Sequence, residues 1–261
     1  MSGNFAKPQF VLGLVVVELL LFVLVLPLLL KWLIYYEGGF HWYTKATDQT
    51  TEKFFNIHPL CMVLGFIIVL SQGVLVYRVI PGPKIVAKIA HASLHLITSI
   101  LIILGLVSVW KYHTASGYPH LYTLHSWTGF SAILLFGLQF LFGFLYFLGD
   151  DYANIKRTMI PIHRYLGLCI LVLSTIASVA GINEKLFFGM GKKHVPIING
   201  SNGPQPAEYP DKPPEAMVGN FLGLALCIAV AAVIFVATRP SFQRKSDNYN
   251  DPDREPINKA Y

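Results

Sequence analysis

Six long apolar runs alternate with shorter polar stretches along the chain, over about 11–36, 52–77, 88–110, 121–148, 159–182 and 216–238. Each approaches or exceeds the roughly 20 residues that carry a helix across a bilayer. The pattern therefore predicts an all-α integral membrane protein, a six-helix bundle. The punctuation between runs is of the helix-breaking kind. Pro81-Gly82-Pro83 follows the second run, Ser116-Gly117-Tyr118-Pro119 the third, and Gly149-Asp150-Asp151 the fourth. A Pro- and Gly-rich loop from Asn183 to Glu215 follows the fifth. Pro27 is expected to kink the first helix. Residues 1–10 and 241–261 read as polar flanks of one domain over 11–240, the second flank as a disordered tail.

Composition sharpens this picture. Of 261 residues, 54% are hydrophobic and 13% charged, where a soluble domain carries about 25% charged residues. The first run is too long for a signal-peptide core and shows no small-residue cleavage site, so it is expected to be retained. Cys61, Cys169 and Cys227 all lie in apolar runs without a C-x-x-C pattern, and read as small buried side chains. A net charge of +6 suits an anionic membrane surface and does not imply nucleic acid. An even number of spans puts both termini on one side. Twelve of the 20 Lys and Arg fall on that side, Lys7, Arg78, Lys84, Lys88, Lys156, Arg157, Arg164 and five from Arg239 onward. The remaining eight fall opposite, half of them in or beside the one long loop. By the positive-inside rule the termini are cytoplasmic. Asn199-Gly200-Ser201, a glycosylation triplet, falls on the opposite side.

The polar exceptions inside the runs carry the chemistry. Runs two to five each hold a histidine near their start, His58, His91, His125 and His163, at intervals of 33, 34 and 38 residues. Each interval is about one span plus a short loop. Successive spans run antiparallel, so His58 and His125 fall toward the non-cytoplasmic face and His91 and His163 toward the cytoplasmic face. Facing helices of a bundle can each give one ligand to a shared cofactor. Two neutral imidazoles on opposite sides of an iron describe a bis-histidine haem, which leaves oxygen no open position and favours one-electron transfer. Two such haems in a four-helix core, runs two to five, would make an electron path across the membrane. A lone histidine in a span can instead serve a helix–helix hydrogen bond; four with alternate-face placement fit the cofactor reading better. His95, one turn from His91, reads as a packing or hydrogen-bonding residue, since no H-E-x-x-H surrounds the pair to suggest zinc. Glu18 reads as an acid near enough to a helix end to reach water.

Phe55-Asn56-Ile57-His58-Pro59-Leu60, Leu75-Val76-Tyr77-Arg78, Leu121-Tyr122-Thr123-Leu124-His125-Ser126-Trp127-Thr128-Gly129 and Pro161-Ile162-His163 resemble the motifs of the transmembrane cytochrome b561 family. Asn183-Glu184-Lys185-Leu186-Phe187-Phe188 and Thr238-Arg239-Pro240 extend the likeness over about 11–240. The resemblance implies a six-helix, ascorbate-dependent electron carrier with two haem b per chain, usually a homodimer. It implies a non-cytoplasmic acceptor, monodehydroascorbate in some members and ferric iron in others. It pairs His58 with His125 and His91 with His163 as axial ligands. It further implies that Arg78 holds a haem propionate and that Lys84 and Lys88 stand near ascorbate, with Lys84 beside the cofactor too. Lys156 or Arg157 would take a third basic role, Tyr122, Thr123 and Glu184 would lie by the outer haem, and His113 by the outer acceptor. The bland alternative for the cations is positive-inside anchoring, and for His113, His120, His41 and His194 a solvated loop. Two rival functions stay open: a haem subunit that docks a partner oxidoreductase, and a haem-free transporter. The motifs do not choose the acceptor or the membrane.

Overall fold

A computed structural model describes residues 8–42, 49–147, 153–190 and 209–242, without the side chains of 49, 146–147 and 153–157. Six helices long and apolar enough to cross a membrane account for nearly all of it, with no strand among the described residues. They are α1 Pro8–Tyr36, α2 Thr50–Val79, α3 Lys84–Ser116, α4 Leu124–Phe147, α5 Ala153–Met190 and α6 Pro214–Thr238. The protein is a multi-pass, all-α membrane protein.

Several helices outrun their apolar stretches. The third was expected to end at 110 and the fifth at 182, but α3 continues to Ser116 and α5 to Met190. Hydropathy marks where lipid ends, whereas a helix stops only at a breaker. For α3 that is Gly117, which takes the left-handed conformation at φ 71° that glycine tolerates. The fourth starts later than the expected 121, because Thr123 caps it: its Oγ1 accepts the N–H of Ser126 at 3.3 Å. Pro27 lies two residues beyond a run of wide π-helical turns, Leu19–Val25, one of the usual causes of helix distortion. In α2 the regular ladder pauses at Asn56, where Pro59 lacks an N–H and its ring crowds the Phe55 carbonyl.

The best-packed region lies among α1, α2, α5 and α6, with Leu21, Leu29, Ile67, Leu171, Leu222 and Val233 fully buried. Large apolar side chains such as Leu12, Ile103 and Phe142 cover the outside, a surface suited to lipid. The α2–α3 contact is close because small residues permit it. A Cβ at Gly65 would stand 3.1 Å from Leu101, and Thr98 Oγ1 donates to the Gly65 carbonyl at 3.3 Å. The cysteines depart from expectation. All three are free thiols, but only Cys61 is buried; Cys169 is half-buried and Cys227 faces outward. In a bilayer an outward face is as apolar as a core, so burial in protein is not what places an apolar residue there.

Candidate cofactor and electron-transfer site

Backbone geometry brings the four histidines into two pairs at opposite ends of the bundle. The rings of His58 on α2 and His125 on α4 have centres 6.2 Å apart, nearly perpendicular. Those of His91 on α3 and His163 on α5 stand 6.0 Å apart. His58 and Gly73 are about fifteen residues apart on α2, roughly 22 Å of helix axis, and Gly73 touches the second pair.

In three of the four the other ring nitrogen is held by the neighbouring helix. His58 Nδ1–H donates to the Gly105 carbonyl at 3.1 Å, and His91 Nδ1–H to Gly73 at 2.8 Å. These two bonds are reciprocal between α2 and α3. His125 Nδ1–H donates to the Ala177 carbonyl on α5 at 2.8 Å. A carbonyl only accepts, so in these three rings the proton sits on Nδ1 and Nε2 carries the lone pair. Carbonyl partners of this kind orient metal-binding histidines. Small residues clear the space: a Cβ on Gly181 would meet His125 Cε1 at 2.7 Å, and one on Gly73 would meet His95 Cε1 at 2.7 Å.

The spacing suits an iron between each pair. A transition metal lies about 2 Å from an imidazole nitrogen, itself ~1.1 Å from the ring centre, so a shared ion sets ring centres roughly 6.3 Å apart. Both pairs match that separation, and His58, His91 and His125 each supply an Nε2 lone pair. The donor set is all-imidazole, which suits a haem iron.

At the terminal end Arg78 closes α2. Its Nη1 donates to the Arg239 carbonyl at 3.3 Å and its Nη2 to the Ala237 carbonyl, so it caps the end of α6. Lys84 is exposed at the first residue of α3, with Lys88 half-buried one turn later. The side chains of Lys156 and Arg157 lie outside the described residues, as do Asn199, His194 and the 243–261 tail.

At the opposite end His113 occupies the last turn of α3, its Nδ1–H donating to the Pro119 carbonyl at 2.9 Å. Tyr122 lies 6.5 Å from that ring, and Thr123 Oγ1 donates to Glu184 Oε2 at 3.3 Å. Burial first, then the carboxylate of Glu184 and the nearby Tyr118, hold the Tyr122 phenol above its ordinary value.

Three features were missed by sequence reasoning. His120 stacks on Trp110 at 3.9 Å and on His113 at 5.5 Å, so it belongs with the outer cluster. Lys185 on α5 bridges Glu52 at 2.9 Å and Glu37 at 3.3 Å and lies over the Phe55 ring beside His58. Glu18 has a partner on another helix: both its carboxylate oxygens accept from Gln72 Nε2, at 3.0 and 3.2 Å. For Glu18, charge inside a span is the signal that could have prompted a search for a partner.

With two histidine pairs set at the ends of a membrane bundle, the class is that of a transmembrane electron carrier. Residues 57–189 match the family described as eukaryotic cytochrome b561, and the chain belongs to it. It is 34% identical over 234 residues to the lysosomal membrane ascorbate-dependent ferrireductase of Mus musculus, covering 87% of each chain. It is also 34% identical over 217 residues to the transmembrane ascorbate-dependent reductase of Homo sapiens, covering 82% of this chain and 78% of that one. Membership implies haem b.

Proposed function

We propose that this protein moves single electrons from cytoplasmic ascorbate across the membrane to a non-cytoplasmic acceptor, monodehydroascorbate or ferric iron, using two haem b per chain. The observation that carries the reading is the paired geometry: ring centres 6.2 and 6.0 Å apart, with Nδ1 of His58, His91 and His125 held on backbone carbonyls. His58 and His125 would hold one haem, His91 and His163 the other. Haem, when bound, would supply reversible one-electron chemistry.

The chain's own residues perform the rest. Arg78, Lys84 and Lys88 make the terminal end positive, and the excess of Lys and Arg there supports a cytoplasmic end. Ascorbate is a monoanion, so these cations draw it to that mouth; Lys156 or Arg157 joins them. Its oxidation releases one electron and one proton and leaves monodehydroascorbate. Water at the exposed Lys84 takes the proton. Arg78, at the end of α2, would hold a haem propionate. At the other mouth His113, with its Nδ1–H fixed on Pro119, presents Nε2 to the acceptor. Tyr122 and the Thr123–Glu184 hydrogen bond would lie beside the haem at that end. Residues 11–240 form the working domain between cytoplasmic flanks, and the carrier is a homodimer.

The test is a sealed vesicle holding purified protein and internal ascorbate, with ferric chelate or monodehydroascorbate outside. Reduction of either without mixing of the compartments is expected, and the faster one names the acceptor. Colourless protein, or no external reduction, overturns the reading.

A further inference from the structure

The terminal-end site holds one imidazole more than a bis-histidine haem needs. His95 lies one turn beyond His91 on the same face of α3, and the two Nε2 atoms are 3.1 Å apart with ring centres at 4.2 Å. The outer site has no such second ring on α2 or α4: four residues on from His58 and His125 stand Met62 and Gly129.

The surroundings of His95 do not account for it as a packing residue. Its ring fills the recess left by Gly73 and stands 5.8 Å from Phe136. An aliphatic side chain would fill that recess without a polar cost. Instead Nδ1 is buried without a hydrogen-bond partner, one of four such side-chain atoms among the described residues. A buried polar atom left unpaired costs about 1–3 kcal/mol and calls for an explanation. The polar contact of the ring is with His91 Nε2. Nδ1 of His91 is the donor to Gly73, so its Nε2 accepts and His95 Nε2–H donates. With the His91 lone pair given to a haem iron, His95 would lose that acceptor. Shifting the His95 proton from Nε2 to Nδ1 then leaves a second nitrogen lone pair beside the same metal position.

We propose that His95 is a reserve axial ligand for the terminal-end haem, able to take the iron through Nε2 when His91 does not. The proposal rests on the assignment of His91 and His163 to that haem. It gives the two sites different tolerance: the His58–His125 site depends on both its histidines, whereas the other depends on His163 and on either imidazole of α3.

The test uses full-length protein purified with its cofactor. Haem per chain is read from the pyridine adduct, and the axial set from low-spin electron paramagnetic resonance. Wild type is expected to hold two haems and His163→Ala one. His91→Ala is expected to keep close to two, with the inner low-spin signal displaced, and the His91→Ala/His95→Ala double variant to fall to one. The outer haem signal persists in all of these and reports that the bundle is folded. His91→Ala falling to one haem, as His163→Ala does, overturns the reserve role while leaving the two-haem reading intact. A double variant that keeps two haems overturns the role as well. Wild type or His163→Ala departing from two and one overturns the underlying assignment, and the reserve role with it.

Discussion

Gly181 is bare because His125 lies where its side chain would be. An added Cβ would sit 2.7 Å from His125 Cε1 and 2.9 Å from Nδ1, closer than carbon atoms pack. Helix backbone cannot yield as a flexible side-chain tip can, so the imidazole must move and its 2.8 Å bond to Ala177 must stretch. Overpacking of this kind costs about 1–3 kcal/mol. Gly181→Ala is therefore expected to weaken the outer haem by about tenfold or more while the His91–His163 haem persists; haem per chain and the low-spin spectrum measure it. Unchanged occupancy with an unchanged spectrum would count against His125 as the ligand there. The four histidines themselves were legible, since a polar ring in an apolar run stands out and the 33- to 38-residue intervals count spans. What holds them was not. Gly105, Gly73 and Ala177 serve through backbone carbonyls, which every residue has, so no residue type announces the role. The His91–His95 contact was half legible: the four-residue spacing gave a shared face, and only the structure gave the 3.1 Å approach.

At the scale of helices, the non-terminal end is held by polar ties between elements. Lys185 on α5 meets Glu52 on α2 and Glu37 after α1, and Tyr112 of α3 donates to Glu52 at 3.1 Å. Trp32 Nε1–H of α1 donates to the buried Glu215 at the start of α6, at 3.2 Å. Lys185→Met leaves two carboxylates facing each other without their cation. Breaking a fully buried pair costs about 3–5 kcal/mol; the Glu52 side chain is 45% exposed, so about 2 kcal/mol is expected, seen as a lower melting temperature in detergent. The double variant Lys185→Met/Glu52→Gln should recover part of it. No change in the single variant would show that the triad is solvated and adds nothing. Element number and order followed from hydropathy, but element ends did not. Lys185 belongs to a helical turn beyond the apolar stretch, and the expected loop from Asn183 hid it on α5. Glu18 misled for a related reason: its partner, Gln72, is 54 residues away on another helix, and pairing at that range is a property of packing.

For the whole molecule the argument becomes one of direction. The two histidine pairs are polar equivalents, yet the ends of the bundle differ: Arg78, Lys84 and Lys88 gather at one, and His113, His120 and Tyr122 at the other. A positive mouth attracts the ascorbate monoanion over distances set by ionic screening. Raising ionic strength from 0.1 to 1 M shortens the Debye length from about 10 to 3 Å. In vesicles with ascorbate on the terminal side, KM for ascorbate is expected to rise about threefold or more over that range with kcat little changed. Lys84→Met/Lys88→Met should start from the higher KM and respond far less to salt. His125→Ala separates entry from exit. Ascorbate should still reduce the remaining haem from the terminal side, seen in the absorption spectrum, while reduction of the external acceptor is lost. If that variant still reduces external acceptor at the wild-type rate, electrons do not leave by the His58–His125 end. If salt and the lysine pair leave KM unmoved, Lys84 and Lys88 do not draw ascorbate to that mouth.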